Sequence, residues 1–346
     1  MGGKLETYNF SFDVDAKEHS TRNAYWLART SEIVYQHENE VKAIFAKWGF
    51  SENECNCFGF DRKKVVAESI KNKQYSDILR YDPQAFVAGR SDMIILAFRG
   101  TEPQNMRDWS TDAEISKKPV PELKGEVHNG FLNALDAIWN DVWVYIRTIR
   151  DKYPLKDKCP LWITGHSLGG ALAILATAKL LTENGGLVKG LYTFGQPRVG
   201  DAVFAQYFNS LFESNTFRYV NNNDIVPRIL FRFWNYSDVG LLNYFDEHGK
   251  LQSNVKPDSD EIIKFEDLLR NNLALTNEIC NALKDISDHS MGFVEKSKKM
   301  FEIYNKFKDT SLLEGFRFDE IWKLIKDGIS DHGKAEYVSC LYKMLL

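Results

Sequence analysis

The pentapeptide GHSLG, residues 165–169, places Ser167 between two glycines, where the apolar run LWIT gives way to an Ala- and Leu-rich stretch. A strand that turns sharply into a helix leaves no room for Cβ atoms beside the serine, which favours glycine at both flanking positions. Such a turn exposes the hydroxyl above the carboxyl end of the strand, where open α/β sheets bind ligands. The pattern predicts a nucleophilic serine, although a capping serine in a tight turn has the same spacing.

A serine nucleophile needs an imidazole to accept its proton and a carboxylate to fix the tautomer of that imidazole. After this type of turn, the acid and then the histidine follow the serine in chain order. Asp224, in RYVNNNDIVPR, directly follows a predicted strand, Phe217 to Val220, that ends at the same edge of the sheet as Ser167. Asp201 also follows a strand, but it fits better as the cap of the next helix. We therefore expect Asp224 to be the acid.

Three histidines follow Asp224 and could supply the base. His248 lies in the polar turn DEHGK, where we expect a solvated side chain. His289, in ISDHSMGF, and His332, in ISDHGKAEYV, each follow a helical stretch. Spacing alone does not separate these two candidates.

The elements that carry these residues alternate between strands and helices. The pattern predicts a helical region from Arg22 to Phe50, strands at AFVAG, DMIILAFRGT, LWIT, GLYTFG and FRYV, and helices between them, including AVFAQYFNSLF. Such alternation indicates a parallel sheet covered by helices. Apolar residues at helical spacing from Glu261 to Phe318 predict a helical insertion, residues 255–325, before the C-terminal histidine. We expect a single domain, residues 1–346.

Composition narrows the class of partner. The 346 residues include 44 Lys and Arg against 48 Asp and Glu, with no long block of like charge, and so give no electrostatic footprint for nucleic acid.

The cysteines are odd in number and sparse, and Cys55 and Cys57 are interpreted as a loop with two thiols rather than a metal site. We expect no metal and no cofactor. The start MGGKLETYNF resembles no signal peptide, and no stretch is apolar enough to span a membrane, so the expected location is cytoplasmic or reached by a signal-peptide-independent route.

Several motifs in chain order show a family resemblance: NAYWLARTSEIVYQ, AFRGTEPQNMRDWSTD, VHNGF, ITGHSLGGALA, YTFGQPRVGD and NNNDIVPR. Through them the sequence resembles the class 3 lipases, the fungal-lipase-like branch of the α/β hydrolases, from Asn23 to about Lys250 and again in a short C-terminal block. The resemblance implies an α/β-hydrolase fold with a mostly parallel central sheet flanked by helices.

The resemblance also implies site residues and an activity. Ser167 would be the nucleophile and Asp224 the triad acid, while the backbone N–H groups of Thr101 and Leu168, helped by the Thr101 hydroxyl, would form the oxyanion hole. The implied activity is that of a serine carboxylic-ester hydrolase, a lipase or esterase, which acts on acylglycerols or related lipid esters through an acyl-enzyme.

The family's histidine lies near the C-terminus in a Gly-hydrophobe-Ser-x-His pattern, followed by Tyr and Val or Ile five and six residues later. GISDHGKAEYV fits this pattern, with Tyr337 and Val338 at those offsets from His332. DHSM at His289 fits another form of the block, but Phe293 comes one residue early and a long stretch of chain follows. The resemblance favours His332 as the base and leaves His289 as the alternative.

The segment after the predicted oxyanion loop, EPQNMRDWSTDAEISKK, is poor in apolar residues. A lid that meets lipid is an amphipathic helix with a continuous apolar face, whereas this segment offers Met106, Trp109 and Ile115. The expected substrate is a lipid or small ester, and a lipid–water interface is a weaker candidate partner. Two other hypotheses fit the same fold, namely a non-catalytic lipase-like interaction or signalling module and an acyltransferase that uses the same triad. Oligomeric state stays open.

Overall fold

The computed structural model describes residues 10–59, 84–100, 116–153, 159–183, 187–224, 226–229, 235–252 and 330–345, with residues 278, 298, 301–303, 305–306 and 327. In this part of the chain the strands are β1 Cys55–Gly59, β2 Gln84–Arg90, β3 Met93–Arg99, β4 Lys117–Val120, β5 Gly125–His128, β6 Leu161–His166, β7 Val188–Phe194, β8 Thr216–Asn221, β9 Leu241–Phe245 and β10 Leu251–Gln252. The helices are α1 Thr21–Ile33, α2 Glu38–Lys47, α3 Asn129–Lys152, α4 Leu168–Glu183, α5 Ala202–Phe212, α6 Val226–Ile229 and α7 Lys334–Leu345.

Eight of the described strands form one sheet in the order β1-β2-β3-β6-β7-β8-β9-β10, and β4 pairs with β5. Strands β3, β6, β7, β8 and β9 run parallel to one another. Strands β1, β2 and β10 add antiparallel edges. The predicted α/β class with a mostly parallel sheet is confirmed.

The central strands are apolar along their whole length because helices cover both faces of the sheet. On β6, Leu161 and Ile163 belong to the core under α3 and α4, whereas Trp162 belongs to the opposite core under α1 and α7. Side chains of a strand alternate between faces, so a strand buried on both sides loses the apolar–polar alternation. Helix α4 is buried from Leu168 to Ala178, in keeping with its run of small and apolar residues.

Two sequence predictions need correction. The predicted helical region from Arg22 to Phe50 is two helices, because α1 ends at Ile33 and the chain is extended at His37 before α2 begins. The interpretation of Cys55 and Cys57 as a loop is wrong, because both lie on β1, where antiparallel pairing with β2 places Cys55 opposite Ala88. That pairing is a tertiary contact, and the sequence of a five-residue strand does not by itself predict such a contact.

Most of residues 255–325 lie outside the described part of the chain, so the helical insertion and the single-domain assignment stay predictions. Among the described helices, none combines the length and the apolar character needed to cross a membrane.

Candidate functional site

Ser167 occupies the turn between β6 and α4 in a strained backbone conformation. Its φ is 57°, in the left-handed region that is costly for a residue with a Cβ atom. A Cβ on Gly165 would lie 2.2 Å from the carbonyl carbon and oxygen of Gly169, and one on Gly169 would lie 2.2 Å from the carbonyl oxygen of Phe98. The turn is therefore too crowded for any flanking residue other than glycine, as the sequence pattern predicts.

The hydroxyl of Ser167 is buried at this turn, and its Oγ has no hydrogen-bond partner among the described residues. The end of β3 passes beside it, since a Cβ on Gly100 would lie 3.2 Å from the Cβ of Ser167. Thr101, a predicted oxyanion donor, follows Gly100 directly and lies outside the described residues.

Leu168, the other predicted oxyanion donor, is the first residue of α4. The first N–H groups of a helix have no partner within it, and the helix dipole favours negative charge there. The side chain of Leu168 is fully buried in the core. The start of α4 is thus suited to stabilise an oxyanion next to Ser167.

Asp224 and His332 lie together although they are far apart in the sequence. His332 Nδ1 is 2.9 Å from Oδ1 and 3.0 Å from Oδ2 of Asp224. A carboxylate only accepts hydrogen bonds, so this contact places the proton of the neutral imidazole on Nδ1 and leaves Nε2 as an acceptor. In the described part of the chain, the buried Nε2 of His332 has no hydrogen-bond partner.

Residues 221–224, which we call the acid turn, present the Asp224 carboxylate at the end of β8. The N–H of Asp224 donates to the carbonyl of Asn221 at 2.8 Å, and Asn222 has a φ of 42°. The N–H of Val226 donates to Oδ1 of Asp224 at 2.9 Å, and Arg228 donates to its carbonyl oxygen. The turn and its carboxylate are therefore fixed by hydrogen bonds from both sides.

Tyr337, on α7, completes the surroundings of Asp224. Its hydroxyl donates to Oδ2 of Asp224 and accepts from the N–H of Asn221 at 3.0 Å. Sequence reasoning gave Tyr337 a place in a motif, five residues after His332, but no role. Its hydrogen bonds make it a support of the carboxylate.

The local charges keep Asp224 ionised. Burial by itself raises the pKa of this carboxyl, but the charge of a protonated His332 and the hydrogen bonds from His332, Tyr337 and the Val226 N–H outweigh it. The net result is a pKa below the usual aspartate range. Burial and the neighbouring carboxylate raise the pKa of Tyr337 well above its ordinary value, so its hydroxyl keeps the proton that it donates.

His166, next to Ser167 in the chain, contacts the backbone of His332. Its Nε2 lies 2.8 Å from the carbonyl oxygen of His332, and its Nδ1 lies 3.2 Å from the hydroxyl of Tyr35. Because a carbonyl only accepts, Nε2 carries the proton, and Nδ1 accepts from the tyrosine. Burial, and then the charge of His332, lower the pKa of His166 to about 3, which keeps this ring neutral. Sequence reasoning missed this residue, and its position inside GHSLG was the available signal.

The other predicted acid and histidine residues were Asp201, His248 and His289. Asp201 caps α5, since its side chain accepts from the N–H of Phe204 at 2.8 Å, as predicted. His248 has a side chain that is 81% exposed, also as predicted. His289 lies outside the described residues. Within the described ranges, no group of three or more His, Cys, Asp or Glu side chains could hold a metal ion.

Comparison with known families identifies the segment that carries most of this site. Residues 95–234 match the model of the family described as Lipase (class 3). We call residues 95–234 the class 3 lipase segment. This class 3 lipase segment contains Ser167, Leu168 and Asp224, whereas His332 lies beyond it.

Curated relatives match the chain over part of their length. The chain is 30% identical over 210 residues to the triacylglycerol lipase OBL1 of Arabidopsis thaliana, which covers 49% of this chain and 40% of that protein. It is 36% identical over 170 residues to a lipase of Rhizomucor miehei, which covers 47% of this chain and 45% of that one. The chain therefore spans less than half the length of these relatives. The solved Rhizomucor miehei lipase propeptide complex is 31% identical, covers 49% of this chain and 55% of its own, and has a TM-score of 0.43.

Proposed function

We propose that this protein is a serine hydrolase of carboxylic esters, with Ser167 as nucleophile, His332 as general base and Asp224 as the acid that orients the base. The expected substrates are acylglycerols or related lipid esters. The class 3 lipase segment supports the substrate class, as do relatives whose names describe triacylglycerol and mono- and diacylglycerol lipases.

One observation carries the proposal. Such a mechanism moves a proton from Ser167 Oγ to His332 Nε2. Both atoms are buried, and neither has a hydrogen-bond partner among the described residues. The far side of the His332 ring is already bonded to Asp224. The neighbour of Ser167 in the chain, His166, contacts the His332 backbone, which brings the two residues to one site. Buried unpaired polar atoms cost free energy. In the proposed reaction both atoms gain a partner, because Ser167 Oγ bonds to the substrate and His332 Nε2 takes the proton of Ser167.

The reaction follows from these roles. Ser167 Oγ attacks the ester carbonyl carbon while His332 Nε2 takes its proton, and the N–H groups of Leu168 and Thr101 stabilise the oxyanion. The tetrahedral intermediate collapses as His332 returns the proton to the leaving alcohol. Water then attacks the acyl-enzyme with His332 again as base, and release of the carboxylic acid restores Ser167. Throughout, Asp224 holds the imidazole tautomer and stabilises the imidazolium.

Hydrolysis of p-nitrophenyl esters, from acetyl to palmitoyl, tests this proposal. We expect Ser167→Ala and His332→Ala to lose about 10⁴-fold or more in kcat, because triad members act as a unit. His289→Ala should retain turnover and serves as the matched control. Loss of activity in His289→Ala alone would reverse the assignment of the base, and an active Ser167→Ala would refute the mechanism.

The two other hypotheses give different results in the same assay. An acyltransferase would release p-nitrophenol and transfer the acyl group to an added alcohol in preference to water. A non-catalytic interaction module would show no turnover that depends on Ser167. The unpartnered Ser167 and His332 atoms favour catalysis over the interaction module.

A further inference from the structure

Asp331, the residue before His332, is bonded to the acid turn through its side chain. Its Oδ2 accepts from Nδ2 of Asn222 at 3.0 Å and from the backbone N–H of Asn223 at 3.0 Å. Both bonds end on the same carboxylate oxygen. The side chain thus spans the gap between the segment that carries the base and the turn that carries the acid.

The backbone adds a third connection between these segments. The carbonyl oxygen of Asp331 accepts from Nδ2 of Asn221 at 2.9 Å. Asn222 also has a φ of 42°, a conformation that asparagine tolerates better than most residues. The asparagines of NNND therefore both shape the acid turn and connect it to Asp331.

The connection does not serve the helix that follows. α7 begins at Lys334, and the turn before it is closed by a hydrogen bond from the N–H of Gly333 to the carbonyl of Ser330 at 3.1 Å. The Oδ2 bonds of Asp331 run to the acid turn rather than to the first N–H groups of α7, where a capping carboxylate would bond. Helix formation thus leaves the contact of Asp331 with the acid turn unexplained.

We propose that Asp331 is a positioning residue that holds the backbone of His332 so that the imidazole stays aligned with Asp224. The inference rests on the proposed function, because the position of the imidazole affects turnover only if His332 is the base. The imidazole projects from the residue next to Asp331, so anchoring Asp331 restricts where Nδ1 and Nε2 can lie. A catalytic group misplaced by about 1 Å can cost about 100-fold in rate.

The contact needs an acceptor oxygen more than a charge. Burial raises the pKa of Asp331, and the carboxylates of Asp224 and Asp327 act in the same direction, although the hydrogen bonds from Asn223 and Asn222 oppose them. The net pKa lies above the usual aspartate range. An asparagine at position 331 would keep one oxygen for both donors without the charge, whereas a leucine of similar size would keep none.

The experiment compares Asp331→Asn and Asp331→Leu, with Asp92→Leu as a control at the opposite edge of the sheet, in the turn before β3. We expect Asp331→Leu to lower kcat by about 10- to 100-fold with KM within about twofold, and Asp331→Asn to restore kcat to within about threefold of wild type. Asp92→Leu should leave both constants unchanged. Equal losses in the Asn and Leu variants would overturn the role of the acceptor oxygen.

A spectroscopic readout separates this inference from the proposed function. The proton on Nδ1 of His332, bonded to Asp224, should give a downfield ¹H NMR signal in wild type and Asp331→Asn, and a broadened or lost signal in Asp331→Leu. Suppose that the wild type has no esterase activity but that Asp331→Leu still loses the signal that the wild type shows. That result would support the positioning role and refute the proposed function. A wild-type kcat and an intact signal in Asp331→Leu would overturn the positioning role.

If Asp331→Leu does not fold, Asn222→Gly tests the same contact from the other side. It removes the Nδ2 donor and tolerates the positive φ. We expect a partial loss of kcat with unchanged KM, and wild-type turnover would count against the proposal.

Discussion

Replacing His166 with glutamine removes a titratable group that the folded chain holds in its neutral form. Burial, and then the charge of His332, lower the pKa of His166 from an ordinary value of 6.5 to about 3. Between these two values the unfolded chain binds a proton at this side chain and the folded chain does not. The free energy of unfolding contributed by His166 is therefore fully present above pH 6.5 and is lost as the pH falls toward 3.

The size of the change in the free energy of unfolding depends on how much of the pH range between the two pKa values is covered. Each pH unit between the two pKa values changes the free energy of unfolding by about 1.4 kcal/mol. From pH 7 to pH 5 the wild type crosses about 1.5 units of this range, which amounts to about 2 kcal/mol. His166→Gln lacks this loss, while its amide can still donate to the His332 carbonyl and accept from Tyr35. The stability advantage of wild type over the variant should shrink by about 2 kcal/mol between the two pH values.

Urea unfolding followed by tryptophan fluorescence, at pH 7 and pH 5, measures this difference. The same experiment on His248→Gln controls for the loss of an imidazole that is 81% exposed. A His166→Gln difference that stays constant, within about 0.5 kcal/mol, would refute the conclusion that the folded state keeps this ring neutral.

Three other substitutions test separate parts of the site. Asp224→Asn should lower kcat by about 10⁴-fold, because the amide no longer favours the productive imidazole tautomer, and ester turnover above a tenth of wild type would contradict this. Tyr337→Phe should lower the free energy of unfolding by about 1–3 kcal/mol, since it leaves a buried carboxylate oxygen and a buried N–H with one partner fewer, and an unchanged urea midpoint would argue against it. Gly165→Ala should cost about 1–3 kcal/mol because its Cβ would lie 2.2 Å from Gly169 backbone atoms, whereas Gly333→Ala, with its nearest atom at 3.4 Å, should unfold like wild type.

The parts of the site that could be predicted from sequence are those encoded by short local patterns. The turn between β6 and α4 needs glycines at fixed positions because backbone atoms approach closely there, so the motif alone predicts the turn that carries Ser167. Asp224 could be predicted as the acid because it directly follows a parallel strand. The end of that strand determines the edge of the sheet where Asp224 lies. Asp201 also follows a strand, but its position at the start of a helix predicts a cap instead, and its side chain does cap α5.

The parts that could not be predicted depend on contacts between distant segments. The imidazole that contacts Asp224 comes from a segment more than a hundred residues later in the chain, and the two ISDH stretches have the same local chemistry. His166 contacts the carbonyl of His332, and Asp331 contacts the Asn222 side chain and the Asn223 N–H. Residue spacing does not predict these contacts between distant segments. The strand at Cys55–Gly59 exists because β2 pairs with it. His332 as the base and the insertion at residues 255–325 remain predictions.

We infer above all that Ser167 is a nucleophile activated by His332. Labelling with a fluorophosphonate, followed by peptide mass spectrometry, tests it most directly, because the probe reacts with an activated serine and needs no knowledge of the natural ester. We expect one adduct on Ser167, none in Ser167→Ala, and labelling slowed by orders of magnitude in His332→Ala with the fold intact. An unlabelled Ser167 in folded wild-type protein, or equal labelling in His332→Ala, would contradict it.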